Sequence, residues 1–183
     1  MEINEVLDDQ LSQETRISVQ SVTNNQFALL FFCSLGLYAP WWMYKAWKFF
    51  QKKDRLDIMP AARAIFAIFF MYDLLDKIQR YAQSNGYKES YSSGGLFGWF
   101  ILTNIMNRLP DPFWLTSMLG VFSFLQPLKA YNYAISHSDI FKLEENRGFN
   151  TRQIVLIVLG LLFWVLIIIG LIITVDEYGG DTF

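Results

Sequence analysis

Four apolar stretches organise the chain; three hold no charged residue, the second holds Arg63, Asp73, Asp76 and Lys77, and most other charges lie outside them. They run 27–44, 61–78, 113–128 and 154–175. The last, IVLIVLGLLFWVLIIIGLIITV, holds 22 uncharged residues. As a helix it would extend about 33 Å, against about 30 Å for the hydrocarbon of a bilayer. The first, FALLFFCSLGLYAPWWMY, holds 18 and sits near the lower limit for a crossing. A shorter apolar segment, 96–108, contains only LFGWFILTNIM before NRLPDP ends any helix. The pattern predicts an all-α polytopic membrane bundle with four transmembrane helices, 96–108 being interfacial or re-entrant. Acidic tails, 1–26 and 176–183, flank the membrane domain 27–175. Ile3, Leu7 and Leu11 fall at helical spacing in the first tail, which leaves a short amphipathic helix and a disordered segment both open.

The flanks of these runs carry the marks of a membrane interface. YAPWWMYKAWKFF follows the first run directly. Trp41, Trp42 and Trp47 are expected in an aromatic belt, with Lys45 and Lys48 reaching out to water or anionic lipid headgroups. Pro40 would break or kink a water-exposed helix, whereas Pro60 suits a helix start. The loops 45–63 and 129–152 hold ten of the fifteen Lys and Arg residues. Basic residues concentrate on the cytoplasmic side. The expected threading therefore has two cytoplasmic hairpins and both termini outside the cytoplasm. A parallel duplication also fits: Pro40, Lys45 and Arg63 have counterparts in Pro127, Lys129 and Arg152, with proline-to-arginine separations of 23 and 25 residues. Two unrelated hairpins with interfacial exits would look the same.

Composition narrows the chemistry. Of 183 residues, 53% are hydrophobic and 17% aromatic, which suits rings with one wet side. A net charge of −2 gives no basic balance for nucleic acid. Cys33 is the only cysteine, so neither an internal disulfide nor a multi-cysteine metal site can form. The acidic start lacks a basic region followed by an apolar one, so a retained span is the expected insertion signal. No metalloprotease, P-loop or nucleophile-elbow motif occurs, and no cofactor is expected.

The candidate intramembrane polar site comprises Arg63, Asp73, Asp76, Asn104 and Asn107. Asp73 with Lys77, and Asp76 with Arg80, have the spacing of acid-before-base helix pairs. The competing reading is a polar conduit through the membrane. His137 sits among Ser136, Ser138 and Asp139, but adjacency does not make a catalytic triad; a solvated loop histidine is expected. Gly94 and Gly98 read as a flexible segment edge, and Gly160 and Gly170 either admit a close helix or only dilute a Leu/Ile run.

Gly36, Tyr38, Trp42, Tyr44, Lys45 and Trp47, in GLYAPWWMYKAW, resemble a pattern of uncharacterised small bacterial multi-pass inner-membrane proteins, and RAIFAIFF fits it too. The resemblance covers about a third of the chain, implies a bacterial cytoplasmic membrane, and transfers no site residues. The expected function is a non-enzymatic accessory, assembly or regulatory membrane component, with a protein partner or a second copy as its associate. A small transporter or channel using the polar residues around Asp73 is the alternative. A lipid-acting enzyme has the least support, since no histidine or cysteine is placed for it.

Overall fold

The computed structural model describes residues 17–110, 113–138, 141–144 and 148–179. The tail residues 1–16 and 180–183, with their expected helix or disorder, lie outside the described residues.

The architecture is helical, as the hydropathy pattern predicts, with one unpredicted exception. Ile17–Gln20 (β1) pairs in parallel with Phe141–Glu144 (β2), Ile17 opposite Phe141. Among the described residues the seven α-helices are Asn24–Cys33 (α1), Tyr38–Asp54 (α2), Pro60–Ile65 (α3), Ala67–Ser84 (α4), Ser93–Met106 (α5), Phe122–Ser136 (α6) and Thr151–Gly179 (α7). A 3₁₀ helix, Phe113–Val121, leads into α6.

The expected single helix over 27–44 is two helices. A capping box at Thr23 and Gln26 starts α1. It ends after Cys33, where Leu35 (φ 51°) and Gly36 (φ 87°) turn left-handed and the Gly36 amide donates to the Phe31 carbonyl at 2.8 Å. Glycine adopts this geometry without steric cost. Ser34 Oγ accepts from the Tyr38 amide at 2.9 Å and so starts α2. Pro40 therefore falls in the first turn of α2, where its missing N–H would have had no intrahelical partner. It neither breaks nor kinks the helix.

The expected span 61–78 is likewise divided, at Phe66 (φ −89°, ψ 44°), with Pro60 opening α3 as predicted. The expected span 113–128 is part 3₁₀ and part α. Segment 96–108 is the helix α5. Among the described residues only α7 is long and apolar enough to cross a membrane, over Thr151–Ile173. The duplication does not appear: Pro127 lies inside α6 while Pro40 lies in a first turn, and Arg63 falls in the last turn of a six-residue helix while Arg152 falls in the first turn of one of 29.

The helices fold as three hairpins pointing the same way. Their turns, at 34–37, 65–68 and 107–117, meet around one cavity. Their other ends meet at the opposite pole. There Lys129 bonds Glu89 at 2.8 Å, Tyr133 bonds the Gly86 carbonyl at 3.3 Å, and β1 joins β2. The expected four-span threading would put the connection 79–95 on the opposite side of the bilayer from the basic hairpin 129–152, and these contacts speak against it because the two segments touch. These contacts also bring residues 17–20 to the side of the basic loop 129–152.

Between the poles lies an aromatic core. Phe27 is fully buried and its ring lies within 5.6–5.9 Å of Tyr38, Phe124 and Trp42. Trp42, Met43, Ala46, Trp47 and Phe50 form the inward stripe of α2, at helical spacing.

α7 stands almost alone. Gly160 is its only buried residue among those described. A Cβ at Gly160 would overlap the Cys33 backbone, so glycine is what lets α7 lie against α1. The Trp164 indole donates to the Phe32 carbonyl at 2.8 Å, satisfying an acceptor at the end of α1. At Gly170 a Cβ would meet no atom within 4 Å, nor would one at Gly94 or Gly98. The close-approach reading of the final run thus holds at Gly160 alone.

Gly160→Leu is expected to destabilise the protein by about 1–3 kcal/mol, the usual range for overpacking. Leu162→Ala, on the exposed face of the same helix, should be near neutral. Thermal unfolding in detergent micelles compares the two.

Candidate functional site

The structure divides the predicted polar residues between two places. Asp73 and Asp76 line a charged groove on α2 and α4, with Arg63 reaching it from α3. Asn104 and Asn107 line the cavity at the hairpin turns.

The groove encloses about 340 Å³, bounded by Phe50, Lys53, Asp54, Asp76, Lys77 and Arg80 among others. Helix ends assemble it. Asp54 closes α2, whose last turn also carries Lys52 and Lys53, and α4 passes beside it. Asp76 pairs with Arg80 at 2.6 Å, as the spacing predicts. The predicted Asp73–Lys77 pair does not form. Lys77 instead reaches Asp54 at 2.9 Å, and Asp73 takes Arg63 at 3.2 Å. The reason is tertiary: α3 packs on α2, and the break at Phe66 turns α4 back beside both. Arg63 is thereby set 4.4 Å over the Trp47 ring and 5.0 Å over Phe70, within reach of Asp73. Sequence spacing sees only partners on one helix, so Asp54 was missed.

Burial alone would raise the pKa of Asp54, but the hydrogen bonds and charges of Lys53 and Lys77 outweigh it and hold the carboxyl below its ordinary value. At the same pole, hydrogen bonds from Lys129 and Tyr87 lower the pKa of Glu89. Burial, then the bond and charge of Glu89, push the Tyr87 phenol up to about 12. These shifts keep charged groups charged and the phenol neutral near pH 7. They suit structural ion pairs; a general base would need a pKa near the operating pH.

The second place is a cavity of about 560 Å³ between the hairpin turns, walled by Leu37, Pro40, Ile65, Phe66, Met118 and Phe124 among others. Its polar groups are largely turned inward. Asn104 donates to the Phe100 carbonyl of its own helix at 2.8 Å, and Thr103 bonds Trp99 and Phe100 carbonyls at 3.0 Å. Asn107 meets Ser117 at 3.5 Å. The groove and the cavity share no lining residue.

The predicted interface anchors also separate. Trp41 is half exposed, with Lys45 5.7 Å over its ring; Lys48 lies 5.8 Å over Tyr44 on the same face. Trp42 and Trp47 are corrected from belt to core, at 3% and 0% exposure. The Trp47 indole N–H is buried without a hydrogen-bond acceptor. The cause is helical phase: Trp42 faces the core beside an outward Trp41, and Trp47 lies on the inward stripe with Met43, Ala46 and Phe50.

His137 ends α6, exposed and stacked 4.0 Å on Tyr133. Asp139 lies outside the described residues. No group of three His, Cys, Asp or Glu able to hold a metal occurs among the described residues. Comparison of the chain with family models, curated proteins and solved structures finds no match.

Asp54→Asn is expected to cost about 1 kcal/mol at neutral pH, the scale of partly exposed pairs. Because the native carboxyl has a depressed pKa, its contribution is present above the unfolded value of about 3.9 and is lost as pH falls below it. The variant should therefore lose less stability than the native protein below about pH 4, measured as melting temperature against pH.

Proposed function

We propose that the chain is an integral membrane protein held by α7, acting as a non-enzymatic accessory, assembly or regulatory component of a membrane. The observation that carries this reading is the state of α7. Its described residues 151–173 have mean hydropathy 3.3 over their most apolar window, of which 6% is buried. In water such a surface would aggregate; in lipid it is at home, and its one buried glycine shows how little of it this chain covers. The bare remainder offers packing surface to lipid or to a partner helix.

The bacterial cytoplasmic membrane remains the proposed location. Of the possible threadings, one full crossing by α7 suits the meeting of the loops better than four. The basic pole then faces the cytoplasm, and Lys45 and Lys48, beside Trp41 and Tyr44, meet anionic headgroups.

Transport is the second reading, favoured only by Asp73 and its groove. Against it, the groove's acids are matched to Arg63, Lys53, Lys77 and Arg80, and the groove does not continue into the turn cavity. A conduit would need Asp73 unpaired or facing water along a through-route.

Two measurements decide. The protein should resist alkaline extraction from membranes and bring down a stoichiometric partner or a second copy from native membrane in mild detergent. Asp73→Asn should lower stability by less than about 1 kcal/mol and leave solute flux in reconstituted vesicles unchanged. Extraction at high pH would remove the membrane reading, and a flux abolished by Asp73→Asn in a stably folded variant would replace the accessory reading with transport.

A further inference from the structure

We propose that the three hairpin turns are inserted into the hydrocarbon of a single leaflet, so that the protein fills one half of the bilayer while α7 alone occupies the other; this rests on α7 being the membrane span.

The argument is one of depth register. α7 and α1 start at the same level, where Gln26 bonds the Gly148 carbonyl at 3.5 Å; Gln153 also meets the hydroxyl of Tyr38 from α2 at 3.4 Å. α7 and α1 run together to the Gly160–Cys33 contact and the Trp164–Phe32 bond. From Ile154, Gly160 and Trp164 lie about 9 and 15 Å along the helix. The midplane of a core of about 30 Å thus falls near Trp164, where α1 ends. The exposed residues Ile154, Val155, Val158 and Leu159 require hydrocarbon around this first half of α7. The helix packed against it must share that depth.

The surfaces of the turns agree. Leu37, Ile65 and Phe69 are 75%, 76% and 74% exposed, and Phe66 and Phe113 are more than half exposed. Soluble monomers rarely gather such residues at one pole, and where they do the patch marks a protein or membrane contact. At the other pole are Lys52, Lys53, Arg55, Lys77, Arg80, Lys88 and Lys129. Between the poles, Lys45 and Lys48 lie about 12 and 16 Å along α2 from Leu37, near headgroup depth, with their ammonium groups over the rings of Trp41 and Tyr44. Trp164 accounts for its own placement, since an indole N–H in hydrocarbon needs an acceptor and Phe32 supplies it. Arg108, just past the end of α5, is the one described cation at the turn pole. It lies just past the Thr103–Gly120 contact, at the level of the turns, and its long side chain can extend toward the opposite headgroups.

The test places single cysteines in a Cys33→Ala background at Leu37 and Phe69 (turns), Asp57 and Ser92 (basic pole) and Leu162 (α7). Each is spin-labelled in the full chain reconstituted into phosphatidylcholine and phosphatidylglycerol vesicles. Labels at Leu37 and Phe69 are expected to lose access to a water-soluble nickel chelate and to collide with dissolved oxygen as Leu162 does. Asp57 and Ser92 should stay open to the chelate and react with an impermeant maleimide from one and the same side. Water-like labels at Leu37 and Phe69 with Leu162 in lipid would overturn half-insertion while keeping the α7 anchor. Asp57 and Ser92 on opposite faces would overturn it in favour of several full crossings. A water-like Leu162 would remove the anchor reading itself.

Discussion

The contact on which the arrangement depends is the one between Gly160 and the Cys33 backbone, locked by the Trp164–Phe32 hydrogen bond. It fixes how far along α7 the rest of the protein sits. A long apolar helix must place its middle at the middle of the bilayer, because each exposed backbone or polar group at that depth costs free energy. Whatever is clamped to its first half is carried to the same depth. A hydrophobic force between helices is absent in lipid, so close packing and an interhelical hydrogen bond are the available means of holding that register.

The short helices make sense in this frame. α1 has ten residues, about 15 Å of helix, which is half a hydrocarbon core. Such a helix could not cross a membrane, but it can line one leaflet if a turn closes it at the midplane. Backbone turns are tolerated at that depth only where their polar groups are satisfied. At 34–37 they are: the Gly36 amide bonds Phe31, Ser34 Oγ takes the Tyr38 amide, and Phe32 takes the Trp164 indole. The ion pairs and the β1–β2 ladder gather at the opposite pole, where water can solvate what they leave over.

Much of this was legible in the sequence, and the failures are instructive. Hydropathy located the apolar runs, the strongest crossing and the short segment at 96–108. It could not separate a helix of 18 residues from two half-length helices, because Leu35 and Gly36 are apolar enough to leave the profile smooth. The left-handed turn was carried by Ser34 and Gly36, a signal of backbone geometry rather than polarity. Trp42 and Trp47 were read from residue type as interface anchors, yet helical phase relative to Met43 and Phe50 decides which ring faces in. Asp76–Arg80 was found because it lies within one helix. Asp54–Lys77 and Arg63–Asp73 join different helices and depend on the reversal at Phe66, which no local spacing encodes. The strand at 17–20 was invisible for the same reason, since its partner lies more than a hundred residues away.

The functional reading follows from how charge is disposed. Among the described residues Asp54, Asp76 and Glu89 pair with bases at one pole, the turn cavity is mainly apolar, and the apolar surface left uncovered is the outer face of α7 and the hairpin turns. That pattern suits a protein that organises or accompanies others in a membrane. The account's central structural claim is the asymmetric depth of the chain, and neutron reflectometry on the protein in a single supported bilayer measures it most directly. The account predicts protein density that fills one leaflet and the adjoining water layer but falls to the cross-section of a single helix in the other leaflet. Equal protein density through both leaflets, or a bundle lying wholly in water, would contradict it.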